Sequence, residues 1–156
     1  MKLAYFDDFK LGVVVDDEIA DVSGAVSGIP HVGPHDLISR VIERFDECRG
    51  SIEAAAKTAS RVKVASVRLR PPLPRPGKIF NMAVNYLENG AVKTPPQING
   101  FLKSPNCVIG DGDTVILPDP PATIFHHEAE LALVIGKKAK NVKAKDAYSH
   151  VFGYVN

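Results

Sequence analysis

The 156-residue chain reads as an α+β protein, mainly β, in two unequal parts. Three observations predict this. Short alternating segments separated by acidic turns fill the first 21 residues, the pattern of half-buried strands. A helical block with one apolar stripe follows. A proline-rich break at 71–77 then gives way to a half that is richer in β-type residues and punctuated by glycine. The expected organisation is a small N-terminal α+β domain over 1–70, a linker over 71–77 and a second domain over 78–156.

Lys2 to Phe6, Leu11 to Val15 and Glu18 to Asp21 are read as an antiparallel meander. Asp7-Asp8 and Asp16-Asp17 make its turns, because aspartate bonds its own backbone and tolerates the left-handed region. Glycines and prolines in GAVSGIPHVGP mark the exit. Pro34 opens a helix expected to reach Cys48, with Leu37, Ile38, Val41, Ile42 and Phe45 on one stripe and Gly50 beyond its end. A second helix is expected over Ser51 to Ser60, capped by Ser51 and carried by Ala54 to Ala56. His31 and His35 lie in the loop before the first helix, without a carboxylate at ligand spacing, and read as surface or capping histidines.

Val62 to Leu69 alternates and is expected to be a strand. Pro71, Pro72, Pro74 and Pro76 exclude a helix or a central strand and favour an extended spacer. Lys78 to Val84 is the next strand. It runs into Asn85-Tyr86-Leu87-Glu88-Asn89-Gly90, which is either a polar pocket lining at a strand end or a plain turn closing at Asn89-Gly90. Thr94 to Asn99 reads as a loop and Phe101 to Ser104 as a short strand. After the turn Asp111-Gly112-Asp113, Thr114 to Leu117 reads as a strand closed by Pro118. Lys143 to His150 is expected to be a short helix, and Phe152 to Val155 to begin another strand.

Between these lies the stretch FHHEAELALVIG, Phe125 to Gly136. Leu131, Leu133 and Ile135 alternate with Ala132 and Val134, as in a strand buried on both faces. His126, Glu128 and Glu130, also two apart, would project from one face of the same strand. Adjacent carboxylates repel and lose hydration at an apolar strand. Such a pair persists if it is solvated, if it shares a proton, or if a cation sits between the carboxylates.

Composition excludes several classes. Lys and Arg number 19 against 18 Asp and Glu, with no long like-charge run, so an electrostatic nucleic-acid surface is not expected. Cys48 and Cys107 have no CxxC spacing, which argues against a zinc site and a disulfide framework. They read as reduced thiols. The acidic start MKLAYFDDFK is unlike a secretory segment, and no apolar run is long enough to span a bilayer, so a cytoplasmic protein is expected.

Residues 77–156 carry a series of motifs in order: a strand leading to Asn85-Tyr86; Phe101-x-Lys103; the segment from Gly112 to Pro118; Glu128-x-Glu130-Leu131-x-x-Val134-Ile135-Gly136; and Phe152-Gly153-Tyr154. This series resembles the fumarylacetoacetate hydrolase family. The N-terminal block is similar to the small strand-rich domain that precedes the catalytic domain in many members. The resemblance implies that the second half begins a mixed β-sandwich roll, which continues beyond these residues and leaves apolar strand edges exposed.

It further implies that Glu128 and Glu130 coordinate a divalent cation, with a third carboxylate expected beyond the chain end. Hard oxygen ligands without cysteine agree with Mg²⁺, with Mn²⁺ or Ca²⁺ as alternatives. In the family the cation binds neighbouring oxygens of a small keto or dicarbonyl acid, such as an acylpyruvate, and stabilises the enolate released when a carbon–carbon bond breaks. Lys103 would pair with a substrate carboxylate or enolate, or be a solvated strand-end lysine. Asn85 and Tyr86 would line the pocket. His126 would be an added ligand or simply exposed. Family members are commonly homodimers, and a homodimer is expected of the full-length protein.

One departure bears on the reaction. Hydrolytic members carry a water-activating histidine and glutamate where this chain has Asn89 and Val92. Asparagine has no accessible pKa and cannot act as a general base, and neighbouring Glu88 is one position away. The resemblance therefore implies a carbon–carbon hydrolase; a decarboxylase, isomerase or tautomerase; or a non-catalytic metal- or metabolite-binding relative.

Overall fold

The computed structural model describes residues 1–86, 90, 93–94 and 97–156. The meander forms as the alternation requires: β1 (Lys2–Phe6), β2 (Lys10–Val15) and β3 (Glu18–Asp21) pair antiparallel. Asp7 and Asp16 sit at φ 47° and 54°, the left-handed geometry that the tight turns need. β4 (Arg61–Lys63) adds beside β3 and β5 (Leu69–Arg70) beside β1, completing a five-stranded sheet in the order β4-β3-β2-β1-β5. The expected single strand over Val62 to Leu69 is thus two short edge strands. The 3-10 turn Val64–Ser66 between them carries the chain from one edge of the sheet to the other.

The helices differ from expectation at one point. α1 (Pro34–Glu43) ends early, and α2 (Phe45–Thr58) starts before Ser51 and runs through Gly50. Arg44 separates them at φ −109°, ψ 23°. The stripe does not continue straight. The bend re-aims it so that Leu37, Ile38 and Val41 from α1 join Cys48, Ile52 and Ala56 from α2 in one buried cluster with Tyr5, Leu11 and Val13 of the sheet. Cys48 is buried there and Cys107 is exposed, both as free thiols.

Among the described residues the second half holds two antiparallel strand pairs. β6 (Ile79–Met82) pairs with β7 (Gly100–Lys103), and β8 (Ala132–Ile135) with β9 (Val151–Val155). A seven-residue 3-10 helix, Ala144–His150, precedes β9. Contacts between this half and the first include the Phe45 and Phe152 rings, which meet edge-on at 4.9 Å, and the Arg68–Asp113 pair at 2.7 Å.

Three strand expectations need correction. Thr114 to Leu117 is not a strand, and Val115, Ile116 and Leu117 are exposed. Among the described residues the segment from Phe125 to Leu131 pairs with no strand, so the Glu128-Glu130 pair precedes β8 instead of lying on it. β8 itself is not buried on both faces: Leu133 is 52% exposed, and Leu131 and Ile135 are also exposed. The physical reason is common to all three. Alternation makes a strand only where a ladder partner and a covering layer exist, and among the described residues β9 is the sole partner of β8. No described helix is long and apolar enough to cross a membrane.

Candidate active site

The β6–β7 ladder sets Ile79 opposite Lys103 and Asn81 opposite Phe101. Directly opposed residues share a face and residues two apart stay on it, so Ile79, Asn81, Phe101 and Lys103 occupy one face. Phe80 and Leu102 occupy the other. Burial along β6 runs against the usual rule. The phenyl ring of Phe80 is 62% exposed, whereas the amide of Asn81 is only 9% exposed. That amide is not orphaned: its Nδ2 donates to Oε2 of Glu130 at 3.3 Å. The hydrogen bond spans 49 residues and brings the partly buried Glu130 onto the face of the strand pair that carries Lys103. The Lys103 ammonium lies 5.9 Å from the centre of the Phe101 ring, a cation–π contact.

Gly100, opposite Met82 on the Phe80–Leu102 face, leaves room for the Phe80 ring between the strands. A Cβ there would collide with the Phe80 ring and stand 2.9 Å from the backbone oxygen of Asn81, which cannot swing aside. β6 ends at Met82, two residues short of the expected Val84, and Val84 turns the chain at φ 51°. A β-branched residue in that region carries strain. The turn leads to Asn85 and Tyr86, both exposed.

The structure thus brings Glu130 together with the Asn81–Lys103 face. Glu128, two residues earlier on the same unpaired segment, is exposed, as are His126 and His127. His31 contacts the backbone oxygen of Ile29 through Nδ1 at 2.7 Å, in keeping with a local structural role. Asn89, Val92 and Glu88 lie outside the described residues. Asn81 was absent from the expected site residues, although one signal pointed to it: it is the single polar side chain in the run Ile79 to Val84.

A divalent cation is implied by the resemblance, and the donors present match it in kind but not in number. Glu128 and Glu130 offer hard carboxylate oxygens, the ligand type of Mg²⁺, Mn²⁺ or Ca²⁺. Among the described residues no group of three or more His, Cys, Asp or Glu side chains is placed to hold a metal ion.

The fold, with Glu130 bonded to a lysine-bearing strand pair, can be set beside known proteins, and the comparison supplies the class. The fumarylacetoacetate (FAA) hydrolase C-terminal family matches residues 78–156, just over half the chain. Maleylpyruvate hydrolase of Aquipseudomonas alcaligenes is 34% identical over 170 residues, covering 99% of this chain and 59% of that protein. The homoprotocatechuate catabolism bifunctional isomerase/decarboxylase of Escherichia coli is 41% identical over 88 residues, covering 54% of this chain and 20% of that protein. Among solved structures, maleylpyruvate hydrolase from Sphingobium sp. SYK-6, in complex with manganese(II) ion and pyruvate, superposes with a TM-score of 0.86 at 41% identity. That likeness covers 99% of this chain and 56% of the Sphingobium chain. The chain belongs to the fumarylacetoacetate hydrolase family. It spans less than two thirds of the length of the two maleylpyruvate hydrolases.

Proposed function

We propose that the protein is a divalent-metal-dependent hydrolase that cleaves a carbon–carbon bond in a small acylpyruvate or related dicarbonyl acid. The observation that carries this reading is the likeness over 99% of the chain to a maleylpyruvate hydrolase solved with manganese(II) and pyruvate. The local geometry supports it. Glu128 and Glu130 would hold the cation, which when bound supplies Lewis acidity toward a substrate carbonyl. Lys103 shares a strand-pair face with the Glu130 contact, and its ammonium suits a substrate carboxylate or a developing enolate. Asn85 and Tyr86, exposed beyond the Val84 turn, would line the pocket. In the overall reaction, water gives its hydroxyl to the acyl carbon and a proton to the departing carbon.

Mg²⁺ is the proposed resident ion, with Mn²⁺ or Ca²⁺ accepted by the same oxygens. The division into 1–70, 71–77 and 78–156, a homodimer and a cytoplasmic location belong to the same proposal. A second reading rests on one observation: Asn89 stands where the hydrolytic pattern has its general base. Decarboxylation, isomerisation or tautomerisation does not require that water-activating pair, and the E. coli relative is an isomerase/decarboxylase.

The test is turnover of acylpyruvates and oxaloacetate by the purified protein with Mg²⁺ or Mn²⁺. Hydrolysis that stops with chelator and falls more than about 100-fold in Glu128→Gln is expected, since loss of even an outer partner of a metal ligand costs 10–100-fold. Decarboxylation or isomerisation without hydrolysis would move the protein to the second reading. Cation binding without any turnover would make it a non-catalytic relative.

A further inference from the structure

We infer that Asn81 is a positioning residue for Glu130, holding one carboxylate oxygen so that the other is presented to a divalent cation. The inference rests on the metal reading of Glu128 and Glu130 and deepens it by naming the group that aims one ligand. The most buried side chain of β6 is its amide, while the adjacent Phe80 ring faces solvent. Packing alone would favour the reverse assignment. The buried amide has one role visible in the structure, the bond from Nδ2 to Oε2 of Glu130. A carboxylate only accepts, so Nδ2 is the amide end that must face it. Glu130 itself sits on a segment without ladder partners, so its backbone is not fixed by a strand. A donor rooted in the paired strand β6 is therefore what fixes the side chain. Oxygen Oε1 is left for a cation. Outer hydrogen bonds of this kind set ligand orientation, and their removal typically costs 10–100-fold in metal affinity.

The experiment is Mn²⁺ titration by calorimetry of the full-length protein as wild type, Asn81→Leu and Asn81→Ala, each checked for folding by its thermal transition. Leucine nearly matches asparagine in shape but cannot donate. The expected result is that both variants lose about 10-fold or more in Mn²⁺ affinity. If the role were packing, leucine would restore the affinity that alanine loses, and that outcome overturns the inference. Should Asn81→Leu not fold, Asn81→Ser supplies the comparison, because its shorter side chain cannot span to Glu130. Wild-type affinity in Asn81→Ser likewise overturns the inference. A full-length wild-type protein that binds no Mn²⁺ defeats the metal reading and this inference with it. Wild-type binding that is unchanged in every Asn81 variant defeats this inference alone.

Discussion

Tyr5 has no exposed surface, and its hydroxyl donates to the backbone oxygen of Pro34 at 2.9 Å, tying β1 to the first turn of α1. Burial penalises the phenolate and pushes the Tyr5 pKa from 10.0 up to about 12. A phenol that holds its proton more tightly when folded stabilises the fold fully below pH 10, and that contribution is lost as pH rises from about 10 to 12. Tyr5→Phe should cost about 0.5–1.5 kcal/mol at neutral pH, the net worth of one hydrogen bond. The variant should also lose less stability than wild type above pH 10, so the two urea midpoints converge as pH rises. Parallel midpoints between pH 9 and 12 would show that Tyr5 ionises equally in both states. At this same scale part of the candidate site was legible. Glu128 and Glu130 are recognisable as an acid pair from spacing alone. The partner of Glu130 was not, because a contact across 49 residues leaves no local pattern, and Asn81 shows only as a polar interruption of an apolar run.

At the scale of elements, the turn Gly110 to Asp113 is fixed from two sides. Oδ2 of Asp113 accepts the Gly110 N–H at 2.8 Å and Oδ1 accepts from Arg68 at 2.7 Å. The backbone bond is the larger cause, and together they hold the Asp113 carboxyl below the ordinary carboxylate range. A depressed carboxylate contributes stability above its unfolded pKa, lost as pH falls through the folded value. In Arg68→Ala the Asp113 pKa, followed by NMR titration of the carboxyl carbon, should rise but stay below the ordinary range. A full return to that range would mean that the Gly110 bond is not the main cause. The hairpin turns and the helical stripe were legible because they are local: aspartates adopt the turn geometry, and stripe residues recur with the helical period. The bend at Arg44 was not, since it is set by how α1 and α2 share one sheet face. Strands at Thr114 to Leu117 and Phe125 to Leu131 failed for the converse reason: the local residue pattern suited a strand, and among the described residues ladder partners were absent.

Across the whole molecule, the buried hydrophobic core lies in the first half. All thirteen members of its cluster fall between Tyr5 and Ala56, and the sheet β4-β3-β2-β1-β5 with α1 and α2 encloses them. The second half presents its apolar side chains outward: Phe80 and Leu102 on β6–β7, Leu133, Ile135 and Tyr154 on β8–β9. Side chains already in water lose little when they are cut back, so they contribute little to the stability of this chain. Cutting a buried side chain removes transfer energy and leaves a cavity, so Ile52→Ala, at a site with no exposed surface, should cost about 2–5 kcal/mol. Leu133→Ala removes a side chain already half in water and should fall within about 0.5 kcal/mol of wild type. Urea unfolding of both variants followed by far-ultraviolet circular dichroism makes the comparison. Equal costs at the two sites would show that β8 and β9 are buried in solution, and would demand a covering layer over them that the described residues do not supply.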